Sequence, residues 1–130
     1  MKWWARLANS LLKEFAGSMR AQYGIASDTD RGERVKSKGE KKVADFLNER
    51  GIRYQYECKI IANGRSYQPD FFLPDYKAYI EYAGMWENFA DYRNKCYRKF
   101  EDYEKAGLRL VVVFPQDLEE LDGKIGPMIC

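Results

Sequence analysis

The sequence predicts an α/β domain whose mixed four-stranded central sheet is flanked by helices in the order α-β-β-β-α-β, preceded by an extra N-terminal amphipathic helix. Three observations carry this expectation. Between residues 53 and 83, three β-prone segments are separated by Asn63-Gly64 and Pro74-Asp75. These residue pairs supply the backbone angles of tight turns, so the segments should form an antiparallel meander. A helical segment at 87–106 then leads to the apolar run 108–114, centred on Val111-Val112-Val113. A strand reached through a helix joins its sheet in parallel by a crossover. Finally, 130 residues with 45% hydrophobic and 15% aromatic content suffice for one core and are too few for two ordinary domains.

Taken in order, residues 3–19 place Trp3, Trp4, Leu7, Leu11, Leu12, Phe15 and Met19 at spacings of three and four, with Lys2, Arg6 and Lys13 elsewhere on the wheel. This amphipathic helix is expected to pack on the domain or on a second copy of the chain, which would give a homodimer. Its basic and aromatic character also fits a membrane-surface or transit segment. Residues 23–39, rich in Gly, Ser, Asp and charge, read as a linker. The expected division is therefore 1–36, amphipathic helix and basic linker, and 37–130, core domain. A helix at about 38–50 turns Val43, Phe46 and Leu47 inward and stops at Gly51. Strands are expected at 53–61, 66–73 and 77–83. The helix at 87–106 carries Phe89, Cys96, Phe100 and Tyr103 along one side and ends before Gly107. The strand at 108–114 is apolar enough to be covered on both faces. Asp117 is expected to cap a short closing helix holding Leu118 and Leu121, with a loose tail from Gly123.

Net charge is only +2, but residues 1–65 carry 14 Lys/Arg against 8 Asp/Glu, whereas residues 66–130 carry 8 against 12. A basic half suits a polyanion and an acidic half suits a divalent cation. Solvated faces of different sign would give the same numbers. Cys58, Cys96 and Cys130 are odd in number and lack C-x-x-C spacing, and no secretory leader is evident, so a reducing, cytoplasmic location is expected. No stretch approaches the roughly 18 apolar residues of a membrane helix. The absence of histidine removes Ser-His and Cys-His catalysis, His-ligated zinc and His general bases together. Hydrolysis by this chain must rest on carboxylates, lysine, tyrosine and a hard metal.

Phosphodiester cleavage needs an activated water and a counter-charge for the developing phosphorane, both of which one or two oxygen-ligated Mg²⁺ ions supply. Such ions need clustered carboxylates. Asp70 in Pro69-Asp70-Phe71-Phe72-Leu73 and Glu81 in Ile80-Glu81-Tyr82-Ala83-Gly84 lie on adjacent expected strands, where alternation decides whether they share a face. An acid between apolar neighbours, as Glu81 is, is costly unless a charge or a metal compensates it. A surface acid after a strand-edge kink is the plainer account of Asp70, and a cross-strand pair with Lys59 is that of Glu81.

Pro69-Asp70, ten intervening residues, then Glu81 in Ile-Glu-Tyr-Ala-Gly, preceded by Ser37-Lys38-Gly39-Glu40 at a helix start, resembles the PD-(D/E)xK nuclease superfamily. Within it, the pattern is similar to the short and helicase-associated nuclease domains whose third strand ends in Glu-Tyr-x-Gly. The resemblance covers about residues 37–121 and implies a restriction-endonuclease-like core. It implies that Asp70 and Glu81 ligate Mg²⁺ or Mn²⁺, with the Tyr82 backbone carbonyl, and that Glu40 completes the acidic cluster or orients a water. Glu40 also closes an S-x-x-E capping box with Ser37, which would account for it structurally. Gly84 would let the chain turn close to the substrate backbone.

Where the superfamily pattern places lysine two residues after its second acid, this chain has Ala83. Lys95 and Lys99, four apart on a stripe with Tyr92 and Tyr103, are the replacements a neighbouring helix offers, with Lys99 favoured. Solvated helix lysines, paired to Asp91 or Tyr103, are the alternative. Lys36, Lys38, Lys41 and Lys42, with Arg31 and Arg34, gather positive charge beside Glu40 to meet DNA phosphates, and Arg65, Arg93 and Arg98 extend the track. The expected function is a metal-dependent DNA endonuclease with little or no sequence specificity. A catalytically inactive nuclease-fold module that binds DNA or protein is the alternative.

Overall fold

A computed structural model describes residues 27–29, 32 and 34–129 of the chain. The amphipathic segment 3–19 lies outside the described residues. The elements are β1 (Ser27–Asp28), β2 (Arg34–Val35), α1 (Lys38–Glu49), β3 (Gln55–Tyr56), β4 (Ile60–Ala62), β5 (Arg65–Tyr67), β6 (Phe71–Leu73), β7 (Ala78–Tyr82), α2 (Phe89–Lys95), α3 (Tyr97–Lys105), β8 (Arg109–Val113) and α4 (Leu121–Ile125). The central sheet has the order β3-β6-β7-β8, antiparallel except for the parallel pair β7/β8, as a crossover through α2 and α3 requires. The domain is therefore α/β with a mixed four-stranded sheet and flanking helices. Among the described residues, no helix is long and apolar enough to cross a membrane.

Alternation along the strands divides the core. Phe71, Leu73, Ala78, Ile80 and Val113 face Val43, Ala44 and Leu47 of α1 together with Leu121 and Ile125 of α4. Tyr79 faces the other way, onto Tyr67 and Tyr103, while Val112 joins Tyr92, Cys96 and Phe114. Both main helices end in the same device. At α1, Gly51 (φ +68°) donates to Asn48 O and Ile52 to Leu47 O; at α3, Gly107 (φ +71°) donates to Glu104 O and Leu108 to Tyr103 O. These crossed bonds satisfy carbonyls that a helix end leaves orphaned.

The expected strands and helix are interrupted at identifiable residues. Segment 53–61 breaks at Glu57, whose φ of +56° cannot continue a ladder, and 66–73 breaks at the fully buried Pro69, which has no N–H to donate. The two breaks meet, because Glu57 N–H donates to Asp70 O at 2.8 Å. The meander thus splits into the central strands β3, β6 and β7 and a separate β4-β5 hairpin, which turns through Asn63 and Gly64, both with positive φ. The helix expected at 87–106 divides at Cys96, whose φ of −116° and ψ of +23° interrupt the helical ladder. The expected linker contains the β1/β2 ladder, because Val35, only 1% exposed, is drawn into the apolar interior. Nor is the tail loose: Ile125 and Met128 are buried against the sheet. Asp117 accepts from Phe114 N–H and caps the 3₁₀ turn Pro115–Asp117, and the closing helix begins later, at Leu121.

The β4-β5 hairpin is fastened to α3 by one buried carboxylate. Asp102 accepts from Asn63 Nδ2 (2.9 Å), from the Arg65 guanidinium (2.8 Å) and from the Tyr67 hydroxyl. Burial acts to raise its pKa, but these three donors outweigh it and hold the carboxyl below the ordinary range. Asp102→Ala strands three donors and is expected to cost about 3–5 kcal/mol in urea unfolding. A carboxyl with a lowered native pKa stabilises fully above the unfolded value of about 4 and loses that contribution as pH falls through the native value. The stability gap between wild type and Asp102→Asn should therefore be widest near neutrality and narrow steadily below about pH 4.

Candidate active site

The β6/β7 register builds the site. Phe71 pairs with Ile80 and Phe72 with Tyr79, so Asp70, at the mouth of β6, stands opposite Glu81 on the face that α3 crosses. Asp70 Oδ2 accepts from the Tyr82 backbone N–H at 2.7 Å. From α3, Lys99 Nζ lies 2.7 Å from Glu81 Oε2 and 3.1 Å from the Tyr92 hydroxyl. The side chains of this ion pair are only 12% and 14% exposed. Glu81 is thus paired across the layers with Lys99; Lys59 is exposed and makes no such contact among the described residues.

Glu40 enters from the first turn of α1. Ser37 Oγ accepts from Glu40 N–H and so caps the helix, but the Glu40 carboxylate does not turn back to the Ser37 N–H. It accepts instead from the Ser37 hydroxyl (3.1 Å) and the Tyr56 hydroxyl (2.5 Å). The capping explanation therefore accounts for Ser37, while the carboxylate lines a cleft of about 330 Å³ with Asp70, Glu81, Tyr82, Lys95 and Lys99. Gly84, Met85 and Trp86 also line it, and the exposed Lys36 stands at the rim.

Electrostatics set Asp70 apart. Burial, then the negative charges of Glu40 and Glu81, push its carboxyl well above the ordinary range, against the Tyr82 N–H and Lys99. Burial likewise raises Glu40 despite the Tyr56 and Ser37 hydroxyls. For Lys99, burial favours the neutral amine, but the Glu81 carboxylate outweighs it and keeps the ammonium charged. Cys96, also on the cleft wall, is pushed up to about 11 by burial and stays a thiol near neutrality.

Among the described residues, no three acidic or thiol side chains converge into a ready-made metal cage. What the cleft offers is a pair. Asp70 Oδ1 and Glu81 Oε1 make no hydrogen bond among the described residues, and both belong to carboxylates aimed at one space. Two free carboxylate oxygens beside a third negative charge fit a hard divalent cation completed by backbone carbonyl and water.

The basic residues divide by position. Lys36 pairs with Glu57, Lys41 with Asp45 and Lys42 with Glu119, Lys42 lying on a separate surface of α1 and the C-terminal segment. Arg65 is committed to Asp102 on the hairpin side. Lys38 and Arg93 are exposed and make no ion pair among the described residues; Lys95 lines the cleft itself, whereas Arg93 lines a separate cavity with Phe100, Tyr103 and Glu104 and is not brought to the acids.

Two site features escape the sequence pattern. The Tyr82 ring lies over α1 so closely that a Cβ on Gly39 would fall 2.1 Å from it, and one on Gly84 would fall 2.7 Å from it. Gly84 therefore leaves room for this ring. A glycine inside a first helical turn, where it is unfavourable, was the available signal for Gly39. Tyr56, which holds Glu40, carried none.

A carboxyl whose native pKa is raised destabilises the fold above the unfolded value, so Asp70→Asn is expected to raise the melting temperature at pH 7 by about 3–6 °C. The gain should vanish below about pH 4, where the unfolded carboxyl is itself protonated. Mg²⁺ or Mn²⁺ should raise the melting temperature of the wild type but not of this variant, as scanning fluorimetry would read. Comparison of the chain with family models, curated proteins and solved structures gives no match.

Proposed function

We propose that this chain is a Mg²⁺- or Mn²⁺-dependent endodeoxyribonuclease on a restriction-endonuclease-like core, hydrolysing DNA phosphodiester bonds with little or no sequence preference. The observation that supports it best is the pairing of Asp70 with Glu81 across β6 and β7 while Lys99, from α3, reaches Glu81 in the same cleft. The missing lysine of the strand motif, at Ala83, thereby has a substitute from the neighbouring helix.

In this reading Asp70 and Glu81 hold the cation through their free oxygens, with the Tyr82 carbonyl as a further donor. The bound cation would supply Lewis-acid polarisation of the phosphate and an acidified water. Glu40 adds negative charge behind Asp70 and so increases the demand of the cleft for a cation. Lys99, kept charged by Glu81 and oriented by the Tyr92 hydroxyl, stabilises negative charge gathering on the phosphate. Lys38 and Lys95, with Lys36 at the rim, are the cations that meet neighbouring phosphates. An inactive module of the same fold is favoured by one feature, the Lys99–Glu81 ion pair, which already neutralises one acid.

Nicking of supercoiled plasmid in Mg²⁺ or Mn²⁺ tests the proposal. Asp70→Ala and Glu81→Ala should each reduce the rate at least about 10³-fold, and Lys99→Met about 10²- to 10³-fold. Full cleavage by Asp70→Ala, or none by folded wild-type protein in either metal, would sink the enzyme and leave the module.

A further inference from the structure

We infer that the cavity adjoining the acids receives the base of an unpaired nucleotide, stacked on Trp86, so that the preferred substrate is a DNA strand freed from its complement. This rests on the nuclease proposal above. Met85, Trp86 and Lys95 border both the acidic cleft and a second cavity of about 460 Å³, whose remaining walls are Glu87, Asp91 and Asn94. Those three shared residues form a partition. On one side lie Asp70, Glu81 and Lys99; on the other lies a cavity that contains none of them.

Trp86 is held in place from behind. Its backbone N–H donates to Ala83 O, and its indole meets the buried Tyr92 with centroids 6.1 Å apart and planes at 75°. Tyr92 in turn packs on Phe100 and Phe114. A half-buried indole on a rigid aromatic base is a stacking platform, and stacking accepts any base because every base has a π-face. The second cavity also has the groups to meet a base edge. Asn94 supplies an amide donor and acceptor, and Asp91 and Glu87 accept from exocyclic amino groups. Lys95, between the two spaces and without an acid partner among the described residues, is placed for the intervening phosphate.

Depth argues for a single strand. Glu81 and Lys99 are only 14% and 12% exposed, in the cleft that Met85 and Trp86 also line. In a duplex each base is held in the stack by its partner, so a base can reach Trp86 only at the further cost of unpairing and unstacking. An unpaired strand bends within a few nucleotides, so one phosphate can descend to Glu81 while its base turns aside onto Trp86.

The test is equilibrium binding by the full chain in EDTA, where no cleavage occurs, followed by fluorescence anisotropy. The probes are labelled oligonucleotides of one sequence as single strand, duplex, and duplex with a central unpaired bubble. Single strand and bubble should bind at least about tenfold more tightly than duplex. Trp86→Ala should weaken single-strand binding about 5- to 100-fold and leave duplex binding within about twofold, while Trp86→Phe keeps most of the affinity. Lys95→Gln, at the surface, should lower the salt dependence of single-strand binding by about one unit of slope. Equal affinity for duplex and single strand, or Trp86→Ala within twofold of a wild type that still nicks plasmid, overturns this inference and spares the nuclease. Trp86-dependent single-strand binding by a protein that never cleaves does the reverse.

Discussion

Slipping β6 by one residue against β7 would turn Phe71 and Leu73 out of the apolar interior and, in the same movement, turn Asp70 away from Glu81. The two consequences are inseparable because side chains alternate along a strand. Burial of Phe71, Leu73, Ala78 and Ile80 against α1 and α4 therefore fixes which acids meet on the opposite face. The register is pinned again at the strand mouth, where the Tyr82 N–H binds the Asp70 carboxylate and Glu57 N–H binds the Asp70 carbonyl. Hydrophobic stabilisation, which favours one pairing of two short strands, is what forces two like charges together.

That convergence is held at the expense of local electrostatic comfort. Asp70 is disfavoured as an anion by its burial and by Glu40 and Glu81, and Lys99 is the buried cation that answers them. Lys99 is itself positioned from two directions. Tyr92 and Glu81 grip its ammonium group, while one turn further along α3 Asp102 anchors the helix to the β4-β5 hairpin through Asn63, Arg65 and Tyr67. A hairpin that contributes nothing to the cleft thus braces the helix that supplies its lysine. Arg65, expected on the phosphate track, spends its charge there.

The cleft is asymmetric in a way that bears on the proposed substrate. It is lined by the little-exposed Glu81 and Lys99, by Ser37 and Glu40 from the helix start, and by the Gly84-Met85-Trp86 segment leaving β7. The Tyr82 ring is seated against both Gly39 and Gly84 and so brings the helix start and the segment after β7 together. A side chain at either glycine would have to displace that ring, which itself lines the cleft.

Much of this was legible in residue order. The turn pairs, the triple valine and the two helix-ending glycines set the strand and helix sequence, and they put Asp70 and Glu81 on adjacent strands where the register could bring them to one face. Helical spacing reduced the lysine to two candidates, Lys95 and Lys99. These readings rest on interactions between neighbours in sequence, whose geometry the backbone period fixes. Tertiary packing decided the rest. Glu57 and Pro69 broke the long strands, Cys96 broke the long helix, Val35 and Ile125 were drawn from an expected linker and an expected loose tail, and Asp102 became a hub for residues 35 to 39 positions away. The choice of Lys99 over Lys95 as the partner of Glu81 was made the same way, by how α3 lies on the sheet. The sequence by itself determined which residues could share a face; only the tertiary structure decided which faces meet, because that depends on the burial of side chains far apart in the chain.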